Sequence, residues 1–219
     1  MALVVHGYRY SVYVRIVRMV LAEKHLAYAH REVNPFAANV PADYLALHPF
    51  KRVPTLVHGD FALYETAAIA RYLDEAFAGP ALQPTTPQAR ARMAQIIAII
   101  DSYGYWPMVR QVFSQRVFAP AQGNTPDETM IADGIAKSHH VLAALEALAG
   151  DGGPLVGGTG WSLADLYLAP MMAYFTAAPE GAAALAPYKT LAAWWSIMRV
   201  APSLTATDPG LPGADGASD

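Results

Sequence analysis

VPTLVHGDFALYETAAIARYLDE, residues 53–75, decides the fold. VPTLVHG and FALYE are short alternating runs on either side of Gly59-Asp60, a dipeptide that favours a tight hairpin. Pro54 cannot donate to a sheet ladder, so it belongs at a strand start or edge. After the second run the period changes from two to 3.6. Ile69, Leu73 and Phe77 fall at i, i+4 and i+8, which predicts a helix from Glu65 to about Phe77. A carboxylate and a hydroxyl, Glu65 and Thr66, therefore stand where a helix opens.

Upstream, ALVVH at 2–6 is an apolar run ending at Gly7 and reads as a buried strand. Residues 12–24 read as a helix with Val14, Val17 and Leu21 on its apolar stripe and Arg15, Arg18 and Lys24 off it. Residues 27–33 read as a second strand, and 41–47 as a short helix with Pro41 in its first turn. Downstream, GPALQPTTP at 79–87 reads as a linker. Helices are expected over about 88–118, bent near Gly104 or Pro107, and over about 126–149, 162–177 and 188–200. The tail from Thr205 lacks apolar periodicity and is expected to be loose. The organisation is a βαβ-α-ββα domain at 1–78, a linker at 79–87, an all-helical domain at 88–204 and a flexible tail at 205–219. The fold class is α/β plus all-α.

Composition narrows the function. Of 219 residues, 54% are hydrophobic and 15% charged, enough for a real core and too little charge for disorder. A net charge of -3 gives no pull toward nucleic acid or anionic membranes. No apolar run approaches the roughly 20 residues of a membrane span, and the opening residues lack the basic and apolar regions of a signal peptide. A cytoplasmic protein is expected. The absence of cysteine excludes disulfides, Cys nucleophiles and thiolate metal sites. The histidines make no i,i+4 pair, and no metal site is expected. GDGGPLVGGTG at 150–160 has no GK[ST] and reads as turns.

Three stretches carry a family resemblance. GYRYSVYVRIVRMVLAEK (7–24) is similar to the G-x-x-x-S-x-x-V-R-x-V-R-x-x-L-x-E-K opening of glutathione S-transferases. LALHPFKRVPTLVHGDFALYETAAIARYLDE (45–75) resembles that family's N-P-x-G-x-V-P-x-L…G…L-x-E-S-x-A-I-x-x-Y-L. WSLADLYLAP (161–170) resembles its [FWY]-S-[LI]-A-D-[LI] segment. The chain is identified as a member of the serine-type, phi/theta-like, bacterial-type cytosolic branch, with a thioredoxin-like domain followed by a helical bundle. His48 stands where the family has Asn, Lys51 where it has Gly, and Thr66 where it has Ser.

The resemblance implies glutathione as substrate, no metal, and attack of its thiolate on a small hydrophobic electrophile, a detoxifying conjugation. It also implies a cis Val53-Pro54 bond, with Val53 pairing to the ligand's cysteinyl backbone. A helix start is an anion site, so Thr66 can hold the γ-glutamyl carboxylate while Glu65 meets the ammonium. The competing reading makes Glu65 and Thr66 ordinary caps. Arg52, Lys51 and His48 are candidates for the glycine carboxylate, Arg52 first, against a solvated basic loop. Ser11 is the candidate donor to the thiolate, with Tyr8, Tyr10 and Tyr13 as alternatives and plain capping as the competing role. Tyr103, Tyr105, Trp106 and Val109 are candidates for the electrophile pocket, against a place in the core. Ser162 and Asp165 read as a structural capping box. Phe50 implies a homodimer by insertion into a second subunit. Glutathione-dependent dehalogenation or isomerisation stays open, as does a non-catalytic binding or regulatory protein of the same fold.

Overall fold

The computed structural model describes residues 2–212, which divide into two compact units. The first runs to Ala81 and takes back Ala206–Pro209; the second includes Leu82–Thr205.

The first unit is built on four strands: β1 (Leu3–Gly7), β2 (Tyr28–Glu32), β3 (Thr55–His58) and β4 (Phe61–Tyr64). Their order is β2-β1-β3-β4, with β1 parallel to β2 and antiparallel to β3, and β3 antiparallel to β4. Helices α1 (Val12–Glu23), α2 (Ala42–Leu47) and α3 (Thr66–Ala76) complete it. The β3–β4 hairpin turns on Gly59-Asp60, and Gly59 takes the left-handed φ of 60° that glycine adopts at no steric cost.

Helix α1 departs from its expected two-sided character. Arg15 and Lys24 are buried along with Val14, Val17 and Leu21. Buried cations need partners. Lys24 Nζ donates to the Asp74 carboxylate at 3.2 Å and to the Asp74 and Pro80 carbonyls, and Arg15 pairs with Asp208. In α3, Ile69 and Leu73 are buried as expected. Phe77 lies just past the helix end, against the rings of His58 and Tyr72.

The second unit holds α4 (Pro87–Ile99), α5 (Ala119–Ala121), α6 (Glu128–Leu148), α7 (Leu163–Ala177), α8 (Pro179–Leu185), α9 (Lys189–Met198) and all but the last residue of α10 (Pro202–Ala206). The expected long helix changes character within its length. Beyond α4 the chain winds in wide π-type turns over Ile100–Phe118, ending on a bond from Ala119 N–H to the Ser114 carbonyl. Pro107, which has no N–H to give to an α-helical ladder, lies inside this segment. Gly134 of α6 lets that helix approach closely, since a Cβ there would lie 2.7 Å from Gln111 Cβ. Helix α7 is buried along nearly its whole length, which is why its sequence shows little amphipathic contrast. Two short helices, α8 and α10, were not expected, being too brief for periodicity to reveal.

The segment before α4 is held at Leu82, which is buried and whose carbonyl accepts from Leu163 N–H at 2.9 Å. The expectation of a loose tail from Thr205 needs correction. Arg18 donates to the Thr207 carbonyl, Thr207 is buried, and Asp208 reaches Arg15. Polar anchors rather than apolar period hold this segment. Residues 213–219 of the expected tail lie outside the described residues.

Candidate functional site

Strand register gathers the candidates of the first unit. His6 of β1 pairs with Thr55 of β3, and Thr55 pairs with Tyr64 of β4. The exit of β1 toward Ser11, the entry to β3 through Val53-Pro54 and the exit of β4 into Glu65-Thr66 therefore share one end of the sheet. Residues far apart in sequence meet because β3 runs against both neighbours.

Ser11 is the N-cap of α1, at φ -74° and ψ 123°. Its Oγ accepts from Val14 N–H at 3.4 Å. Accepting that bond uses a lone pair and leaves the hydroxyl proton available to donate. Capping and donation are therefore compatible. Gly7 is needed for the approach of this turn to β1, because a Cβ there would lie 2.4 Å from Val14 Cγ2. Tyr8, Tyr10 and Tyr13 are all half-buried. Tyr8 packs edge-on against Tyr10 and against Phe36, with ring centroids 5.4 Å and 6.0 Å apart. Phe36 is exposed and was not anticipated; the sequence signal is an aromatic standing alone in the loop NPFAANVP.

The Val53-Pro54 bond is cis, as expected. The backbone N–H and C=O of Val53 have no partner among the described residues. A strand-like segment with open polar groups can receive an extended peptide.

Glu65 adopts φ 73° and ψ 115°. A non-glycine residue in this region stores on the order of 1–3 kcal/mol, and such positions cluster at functional sites. Its side chain makes no capping hydrogen bond, and it is exposed. The first amides of α3 thus lack the side-chain acceptor that Ser11 gives α1, Thr86 gives α4 and Asp127 gives α6. Thr66 is buried at the same corner. The result is a helix start with unsatisfied donors and a carboxylate beside it, suited to a ligand carrying both an anion and an ammonium.

The basic candidates separate. Arg52 and Lys51 are exposed, and Lys51 holds a left-handed φ of 53° where the resembled motif has Gly. His48 is only 2% exposed, its ring set 4.7 Å from that of Tyr64 and edge-on to Phe50. Burial pushes its pKa down, Glu65 opposes this, and Arg52 adds to it. His48 is thus a buried ring, its pKa lowered by that burial, packed against Tyr64 next to Glu65.

In the second unit, Tyr103 and Trp106 are 67% and 58% exposed, Tyr105 is half-buried and Val109 is buried. The expected cluster does not share one environment. Val109 belongs to the helical core, while Tyr103 and Trp106 present aromatic surface. Asp165 is fully buried. It accepts from Leu155 N–H, Ser162 N–H, Ser162 Oγ and Trp194 Nε1 at 2.6–2.9 Å. Burial pushes its pKa up against the pull of those donors. Among the described residues no group of His, Cys, Asp and Glu could hold a metal ion. No helix among them is long and apolar enough to cross a membrane.

A thioredoxin-like unit with these openings at one sheet end, followed by a helical unit, defines the class of protein. Family models described as "Glutathione S-transferase, N-terminal domain" and "Glutathione S-transferase, C-terminal domain" match residues 5–81 and 128–194. Glutathione S-transferase 3 of Zea mays is 30% identical over 202 residues, 90% of this chain and 88% of that one. A stringent starvation protein A homolog of Pasteurella multocida is 31% identical over 162 residues, 74% of this chain and 69% of that one. Among solved structures, glutathione S-transferase III in apo form superposes with a TM-score of 0.82 at 29% identity, covering 97% of this chain and 98% of that one. Glutathione S-transferase I from maize, in complex with an atrazine glutathione conjugate, gives 0.81 at 25% identity, with 95% and 97% covered. The chain belongs to the glutathione S-transferase family.

Proposed function

We propose that this protein conjugates glutathione to apolar electrophiles, forming a thioether through the ligand's own thiolate. The observation that carries the reading is the open start of α3: Glu65 at φ 73° makes no capping bond, and Thr66 lies beside it. The α3 amides and the Thr66 hydroxyl take the γ-glutamyl carboxylate, and Glu65 takes the ammonium. Val53 pairs with the cysteinyl backbone. Arg52, with Lys51 beside it, meets the glycine carboxylate. The maize enzyme crystallised with an atrazine glutathione conjugate lends the same chemistry to this family member.

A free thiol near pKa 8.5 is only a few per cent ionised at neutral pH. Lowering that by about two units takes roughly 2.7 kcal/mol of preferential anion stabilisation. Ser11 supplies a hydroxyl donor at a helix N-terminus, where the macrodipole also favours an anion. The bond that forms is sulfur to carbon; the electrophile's leaving group departs with the electron pair, or an activated double bond accepts it. Within the helical unit, Tyr103 and Trp106 present exposed aromatic surface, suited to an apolar ligand.

The protein acts as a cytoplasmic homodimer. Phe50 is 66% exposed and braced by the rings of Tyr64 and His48, a geometry suited to insertion into a second copy. Light scattering at micromolar concentration tests this, and a monomer mass contradicts it. A second reading is a non-catalytic binding or regulatory role of the same fold; one relative, a stringent starvation protein A homolog, does not carry the transferase name. Calorimetry with glutathione, followed by conjugation assays on a panel of small electrophiles, separates the two. Binding with turnover supports the enzyme, and binding without turnover on any electrophile supports the alternative.

A further inference from the structure

Helix α1 carries a buried cation whose counter-charge comes from the far end of the chain. Arg15 is 2% exposed and cannot shed its charge, so it must be paired where it lies. Asp208 Oδ2 stands 3.7 Å from its guanidinium. One turn on, Arg18 donates to the Thr207 carbonyl at 3.4 Å and to Tyr28 Oη at 3.0 Å. Two successive turns of α1 are thus tied to Thr207 and Asp208, a segment that belongs to the same compact unit despite its distance in sequence. Arg15 is also the residue whose backbone N–H closes the first turn of α1, donating to the Ser11 carbonyl at 3.0 Å. The carboxylate of Asp208, the guanidinium and backbone of Arg15, and Ser11 form one continuous chain of contacts.

We propose that the C-terminal segment clamps α1, and that Asp208 acts through Arg15 as a positioning residue for Ser11. This rests on the reading of Ser11 as the donor to the thiolate. The clamp sets where the hydroxyl sits relative to the ligand sulfur without touching the ligand. Loss of the clamp loosens the first turn and weakens the donor while leaving the glutathione contacts of Val53, Glu65 and Thr66 in place.

The test compares full-length protein with Asp208→Asn, which removes the charge at nearly constant shape, and with Asp208→Glu, which restores it. Three quantities are read: thiolate absorbance of bound glutathione against pH, the kcat and KM of conjugation, and hydrogen exchange at the Val14 and Arg15 amides. For Asp208→Asn the clamp predicts faster exchange at both amides, a higher thiol pKa and a fall of about threefold to tenfold in kcat with KM for glutathione unchanged. Asp208→Glu recovers most of each. Unchanged exchange overturns the clamp. So does a thiol pKa that stays put or falls, provided that Ser11→Ala raises it in the same assay. If Ser11→Ala leaves the titration unmoved, the donor assignment fails by itself, and exchange at the two amides alone decides whether Asp208 clamps α1.

Discussion

Helices α3 and α7 both open on a short-range pairing of an acid with a hydroxyl, and they use it in opposite ways. At α7 the pair is Ser162 and Asp165, and every strong interaction is made internally. The carboxylate of Asp165 is fully buried and collects four protein donors. At α3 the pair is Glu65 and Thr66. The acid precedes the helix, sits at a left-handed φ and makes no capping bond. A closed helix start is a structural joint, and an open one is a place for a ligand. Spacing accounts for the difference. An acid at the third helical position reaches back to the cap, as in a capping box, whereas Glu65, at the cap itself with φ 73°, makes no bond to the amides.

That contrast predicts that the two acids fail differently. Asp165→Ala strands the buried donors of Trp194, Leu155 and Ser162 and is expected to cost about 3–5 kcal/mol of stability. Urea unfolding measures this, and a loss below about 1 kcal/mol breaks the comparison. Glutathione affinity of the folded fraction should be unchanged. Glu65→Ala does the reverse. Stability stays within about 0.5 kcal/mol, while glutathione binding weakens by about 1.5–3 kcal/mol in calorimetry.

Ser11 stands between these extremes, because it caps α1 and still has a proton to give. Ser11→Ala is expected to reduce kcat/KM tenfold or more, about 1.4 kcal/mol, with glutathione affinity nearly unchanged. The titration of bound thiol in Ser11→Ala beside Tyr8→Phe checks the donor; a shift only in the tyrosine variant would leave Ser11 as a cap.

The smallest effect concerns pH. His48 and His6 both have pKa values lowered from 6.5 by burial. The unfolded chain therefore binds more protons than the folded one just below that value, and stability is expected to fall as pH drops through 6.5 toward their folded values. Urea unfolding between about pH 7.5 and pH 5.5 reads this slope. His48→Leu should flatten it. A slope unaffected by that substitution would show that His48 is not buried as described.

Much of this was legible because local chemistry and tertiary role agreed. Pro54, Gly59-Asp60 and the 3.6 period of α3 each point to the same hairpin and helix, and the VPT motif points to the cis bond. The misses have physical reasons. Arg15 and Lys24 fall off an apolar stripe in sequence, yet their burial depends on Asp208 and Asp74, partners that periodicity cannot see. The burial of His48 is likewise hidden in the sequence, where it stands beside Lys51 and Arg52, and only the fold places Tyr64 against its ring. The winding of Ile100–Phe118 and the brief helices α8 and α10 carry too little local signal. That Glu65 leaves α3 uncapped depends on a backbone angle, and no residue pattern separates it from an ordinary acidic helix start.

The central claim is that Glu65 recognises the ammonium of a γ-glutamyl group at an open helix start. Its most direct test is a calorimetric cycle using glutathione and an analogue lacking that amino group, each titrated into the unaltered protein and into Glu65→Ala. The unaltered protein is expected to prefer glutathione by about 1.5–3 kcal/mol, and Glu65→Ala to bind the two ligands alike. An equal preference for glutathione in both proteins would contradict it and return Glu65 to the role of a helix cap.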